Sequence, residues 1–162
     1  MLSKPIFVDH EVSIQKMLRL DDNDNILISR PDSIKKYHDM LLGRLNNTDR
    51  HSVRIHLCPN LLDVDLEQYR PYIEAGAEVY LWQHRPEKGD INSGNLTSVH
   101  IAKKKTALYE EGFVILRSAS SSRMLAVWKD DQGQISGVLV TNPRTVEEVS
   151  DRLDMIIKAA AG

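Results

Sequence analysis

The chain has 162 residues, 41% of them hydrophobic and 27% charged, with a net charge of −2 near neutral pH. These values suit one globular domain able to fold without staples, and they exclude collagenous, low-complexity and strongly polyionic classes. Near-neutrality gives no global drive toward nucleic acid or anionic lipid, so such binding needs a local patch.

In chain order, Pro5 to Asp9 (PIFVD) is an apolar run bounded by proline and charge, and reads as a strand. Val12 to Leu20 reads as a short helix, Asp21 to Asp24 as a polar turn and Ile26 to Ser29 as a second strand. Asp32 or Ser33 can cap a helix through Leu45, with Ile34, Tyr37, Leu41, Leu42 and Leu45 on one face. Asn46 to Asp49 ends it. Val53 to Cys58 alternates Val53, Ile55 and Leu57 against Arg54 and His56, the period of a strand. Leu62 to Ala75 predicts a helix with Leu62, Leu66, Tyr69 and Ile73 on one stripe, bent or restarted at Pro71 and stopped at Gly76. Ala77 to Trp82 is the next strand. Residues 53 to 82 therefore have the size and order of a parallel strand–helix–strand crossover.

Gln83 to Thr97 is a long polar loop. Four strands follow, near Val99 to Tyr109, Phe113 to Ser118, Met124 to Trp128 and Ile135 to Val140. Hairpin-like turns at Glu110 to Gly112 and Asp130 to Gly133 join them. Asn142-Pro143 opens a closing helix to about Ala160, with Val146, Val149, Leu153, Ile156 and Ile157 as its apolar face. The expected fold is one α/β domain over residues 1–162, a mixed sheet flanked by helices. Residues 1–31 stand as an N-terminal extension whose packing the sequence leaves open.

The single Cys58 suits a reducing compartment. There is no apolar run of membrane-spanning length, and the first residues lack the apolar core of a signal peptide, so a cytoplasmic location away from membranes is expected. His51, His56, His84 and Cys58 match no zinc spacing, and Asp21 to Asp24 lacks the glycine and later glutamate of a calcium loop. No metal site is expected. With no glycine-rich phosphate loop and no nucleophile elbow around Ser120 to Ser122, neither a nucleotide cofactor nor serine hydrolysis is expected.

The chemistry-bearing stretch is Val99 to Ser122, VHIAKKKTALYEEGFVILRSASSS. Lys103 and Lys105 share one face of an extended chain. With Arg117, Ser118 and Ser120 they could line a cationic phosphate pocket. The bland alternative is an edge strand guarded by lysines. A nucleic-acid groove would want stacking aromatics, and only Tyr109, Tyr80 and Trp82 lie near in sequence.

This stretch resembles the active-site hairpin of the phospholipase D/Nuc superfamily, H-x-K-x4-D followed after six residues by G-S-x-N. Here Lys105, four residues, Glu110, six residues and Arg117-Ser118-Ala119-Ser120 keep that spacing. Lys103 stands where the family has its nucleophilic histidine, Glu110 replaces aspartate, Arg117 replaces glycine and Ser120 replaces asparagine. A lysine ammonium is a poor nucleophile near neutral pH. The resemblance implies a phospholipase D-like fold, a pseudoenzyme, and a homodimer meeting at the motif face. The expected function is binding, of a protein partner or of phosphate or nucleic acid, through Lys103, Lys105, Arg117, Ser118 and Ser120. The alternative is a phosphodiesterase or nuclease rebuilt around His100, the one imidazole near the motif, although His100 and Lys105 point to opposite faces of a strand.

Overall fold

The computed structural model describes residues 5–9, 11–18, 25–44, 52–83, 96–101, 110–119 and 121–161. In chain order it contains β1 (Ile6–Val8), α1 (Ile14–Met17), β2 (Asn25–Ile28), α2 (Pro31–Gly43), β3 (Arg54–Cys58) and a 3-10 turn (Leu66–Tyr69) that runs into α3 (Arg70–Glu74). There follow β4 (Glu78–Gln83), β5 (Leu96–Ile101), β6 (Glu111–Arg117), β7 (Ser122–Lys129), β8 (Ile135–Val140) and α4 (Pro143–Ala161). The eight strands among the described residues form one mixed sheet in the order β1-β5-β4-β3-β6-β7-β8-β2. β1, β5, β4 and β3 run parallel, and β6, β7, β8 and β2 alternate antiparallel.

The strand–helix–strand unit read from residues 53 to 82 is present, with Ile55 beside Val79 and Leu57 beside Leu81 in parallel register. Its helical part is shorter than the stripe suggests. Leu61 (φ 66°) and Asp63 (φ 51°) sit in the left-handed region, which no helix can pass through, so helical structure starts only at Leu66. Pro71 takes the first turn of α3. Gly76 (φ 101°) ends it: its N–H meets the Ile73 carbonyl, and the Ala77 N–H reaches back to Tyr72 at 2.9 Å. α2 begins one or two residues before the expected cap, with Pro31 in its first turn and Arg30 as N-cap. Only Ile14–Met17 of the stretch expected as a first helix is helical among its described residues.

Layers form on both faces because the central strands carry buried apolar residues on both sides, with Arg54 and His56 of β3 a polar exception on the α4 face. α2 and α3 cover Ile55, Leu57, Val79, Leu81, Val114, Leu116, Leu125 and Leu139. α4 and α1 cover Trp82, Val99, Phe113, Ile115, Met124 and Val138 through Val146, Val149, Leu153 and Ile157, with Ile156 partly buried beside them. The apolar face expected of α4 is the one that packs. The Asn142 carboxamide accepts the Arg144 N–H at 3.0 Å and so caps it. The Asp130–Gly133 turn joins β7 to β8: Asp130 Oδ1 accepts the N–H groups of Gln132 and Gln134, and Gly133 (φ 77°) supplies the left-handed residue.

The expected hairpin at Glu110 to Gly112 is not one. β5 pairs with β1 and β4, whereas β6 pairs with β3 and β7, so two strands separate the arms. Glu111 and Gly112 begin β6 instead of forming a turn. Gly112 is needed for close approach: a Cβ there would lie 1.7 Å from the Asn60 carbonyl oxygen. Glu111 is buried and caps α1, accepting from Ser13 Oγ at 2.7 Å and from the Ile14 N–H at 2.6 Å. That contact ties the N-terminal segment to the sheet. The extension proves integral, because β1 and β2 form the two edges of the sheet.

Candidate functional site

Arg54 opens β3 and faces the α4 side together with His56, two residues on. Register sets Arg54 opposite Glu78 on β4 and opposite Arg117 on β6. The result is a row of charge, Glu78–Arg54–Arg117, across the amino ends of β3 and β4. A cavity of about 430 Å³ opens there, lined by Ser52, Arg54, Gly76, Glu78, Arg117 and Ser118. Arg117 ends β6, and the chain turns at once: Ser118 N–H and Oγ both donate to the Ser121 carbonyl, at 2.8 and 3.0 Å.

α4 lies over this row and supplies two carboxylates one turn apart. Asp154 accepts from Arg54 Nη1 at 2.8 Å and from His56 Nε2 at 2.8 Å. Asp151 accepts from Arg117 Nη1. Glu78 accepts from Arg54 Nε at 3.1 Å and Nη2 at 3.0 Å. Trp82 Nε1 donates to His56 Nδ1 at 3.1 Å. An indole N–H can only donate, so Nδ1 must accept and the imidazole proton sits on Nε2. His56, with 0% of its side chain exposed, is therefore a neutral imidazole with both nitrogens engaged. Burial lowers its pKa below 6.5 and outweighs the Asp154 carboxylate, which would raise it. Burial would by itself raise Asp154, but the bonds from His56 and Arg54 hold it below the usual carboxylate range. With His56 neutral, the charge that does this is the Arg54 guanidinium.

A second buried histidine is likewise committed. His38 meets Tyr69 Oη through Nε2 at 2.5 Å and Asp39 through Nδ1 at 3.1 Å, fastening α2 to the 3-10 turn. Cys58 is an inert thiol, pushed up to about 12 by burial.

Of the residues singled out in the sequence, Arg117 and Ser118 line the cavity together. Lys103, Lys105 and Ser120 lie outside the described residues. His100 is buried on β5 beside Gln83, with its ring tilted against that of Phe7 and centroids 5.3 Å apart. Gln83 and Glu78 are five positions apart along β4, about 16 Å, and three strand spacings separate β5 from β6, about 14 Å. His100 also lies on the opposite face of the sheet from Arg117. Within one chain His100 and Arg117–Ser118 do not form one pocket. Glu110 is exposed just before β6.

Arg54, Glu78, Asp151 and Asp154 escape the sequence reading, because the polar side of β3 looks like a solvent face. The available signal is the pairing of Arg-x-His on one strand with Asp-x-x-Asp on the closing helix. Among the described residues, no three metal-ligating side chains converge. No helix there is long and apolar enough to cross a membrane.

No protein-family model matches the chain, and no curated protein matches it. Among solved structures the fold is similar to TrmBL2, an archaeal chromatin protein whose structure shows a novel mode of DNA binding. The TM-score is 0.54 at 9% identity, covering 91% of this chain and 57% of that one. The chain thus spans little more than half of that neighbour's length, and the likeness is one of fold.

Proposed function

We propose that this chain is a non-catalytic, phospholipase D-like binding domain whose ligand carries phosphate. Arg117 and Ser118 would act with Lys103, Lys105 and Ser120. The observation that carries this reading is the cavity that Arg117 and Ser118 line together, beside an Arg54 held by Glu78 and Asp154. Guanidinium groups match phosphate oxygens in a planar, bidentate way, and a hydroxyl adds a further donor. His38 and His56 spend their ring nitrogens on structural partners, so neither offers a lone pair for attack. The DNA binding of TrmBL2 favours a nucleic acid among phosphate-bearing ligands.

Fluorescence anisotropy with single- and double-stranded oligonucleotides over a salt series tests this. Binding should weaken steeply with salt, and the variant with Lys103, Lys105 and Arg117 all changed to alanine should lose it. Unchanged binding in that variant would rule the patch out. Hydrolysis of a generic phosphodiester should be absent. Turnover that disappears in His100→Ala would favour a rearranged enzyme, with His100 brought to the motif face of a second subunit. Sedimentation velocity tests the homodimer that the family resemblance implies.

A further inference from the structure

We infer that the Arg117 end of the cavity is a site for a small molecule bearing one phosphate or carboxylate group, and that Asp151 occupies it as an internal competitor. The inference rests on the reading of this cavity as anion-binding and narrows it from nucleic acid to a single anionic group.

The two guanidiniums are unequally committed. Arg54 spends Nε and Nη2 on Glu78 and Nη1 on Asp154. Among the described residues Arg117 donates through Nη1 alone, to Asp151, although its fork carries five N–H donors. The Asp151 side chain is 60% exposed, so the contact is an exposed single-point ion pair of the weakest kind. Arg117 itself is only 32% exposed and lines the cavity beside Ser118. A ligand oxyanion that took two donors of the fork would replace one bond with two and leave Asp151 to water. A volume of about 430 Å³ suits a metabolite-sized molecule.

Charge among the described residues favours one anionic group over a polyanion at the Arg117 end. With His56 neutral, Glu78, Asp151 and Asp154 there stand against Arg54 and Arg117, a sum of −1 over these five. One anionic group can displace Asp151. A nucleic-acid backbone laid across the row would meet all three carboxylates.

The test is a titration of the intact chain with inorganic phosphate, and separately with acetate, followed by ¹H–¹⁵N spectra. Phosphate should shift Ser118, Ala119 and the Arg117 Nε–H. Asp151→Asn should tighten binding about two- to fivefold, the size of one exposed ion pair. Arg117→Ala should weaken it at least tenfold, and Arg117→Lys should restore only part. Acetate that perturbs the same residues assigns the site to carboxylates as well; acetate without effect confines it to phosphate. If Asp151→Asn binds no tighter, or the shifts fall elsewhere, the inference is wrong. Oligonucleotide binding that survives Arg117→Ala while phosphate binding is lost would uphold the cavity site and move nucleic acid to Lys103 and Lys105. Oligonucleotide binding without any phosphate binding would sink this inference and spare the broader reading.

Discussion

Gly112 holds the sheet and the turn after β3 together by what it lacks. The Asn60 carbonyl occupies the space of its absent side chain, and because that neighbour is backbone it cannot step aside cheaply. Gly112→Ala should destabilise by about 3–5 kcal/mol, read as a fall in urea midpoint at constant slope. Ser150 is the reverse case. Its hydroxyl is fully buried in α4 and has no hydrogen-bond partner among the described residues. Ser150→Ala removes that desolvation cost and improves helix propensity, so stability should rise by about 0.5–1.5 kcal/mol. His56 and His38 set the acid limb of stability. Each has a folded pKa lowered by burial, so the unfolded chain binds more protons as pH falls below about 6.5. Their contribution is complete above that value and declines beneath it, by at most about 1.4 kcal/mol per pH unit for each histidine that stays neutral. Denaturation midpoints at pH 7.5 and 5.5 should show the loss, and His56→Gln should shrink it. An equal pH dependence in that variant would assign the effect elsewhere.

At the scale of elements, α4 is fastened to the sheet by two aspartates of unequal weight. Asp154 serves a fully buried imidazole and the Arg54 guanidinium, so Asp154→Ala leaves buried donors unpaired and should cost about 2–3 kcal/mol. Asp151→Ala, which breaks one exposed pair, should cost less than about 1 kcal/mol. Equal losses would mean that α4 does not depend on the His56 contact. Glu111 plays the corresponding part for α1, and Glu111→Ala should release residues 5–18 to early proteolytic cleavage. These fastenings were largely illegible beforehand. Periodicity identified α4 and its apolar face, and it identified the β3–α3–β4 crossover, because burial of one stripe repeats along a single segment. It misread Glu110 to Gly112 as a turn, since a glycine demanded by a distant carbonyl looks in sequence like one demanded by a bend. It set Arg54 and His56 on the polar side of β3 and gave them no partner, because alternation cannot show that a helix a hundred residues later lies across it.

Over the whole molecule, both edge strands expose large apolar groups, as α4 does at Met155. Phe7 is 62% exposed on β1 and Leu27 72% exposed on β2. Leu27→Lys should therefore raise the concentration at which light scattering detects association, with little effect on the folded monomer. Both edges come from the start of the chain while their partners come late: Ile6 lies beside Val99, and Ile28 beside Gly137, roughly a hundred residues apart in each case. On the ribosome, at about 5–20 residues per second, the first strands emerge roughly 5–20 s before the strands they border exist. Before β5 exists only β3 and β4 are available to pair, whereas β5, β6 and β7 all precede β8, so β2 waits longest for its partner. During that interval Leu27 and its apolar neighbours are what a nascent-chain chaperone would meet.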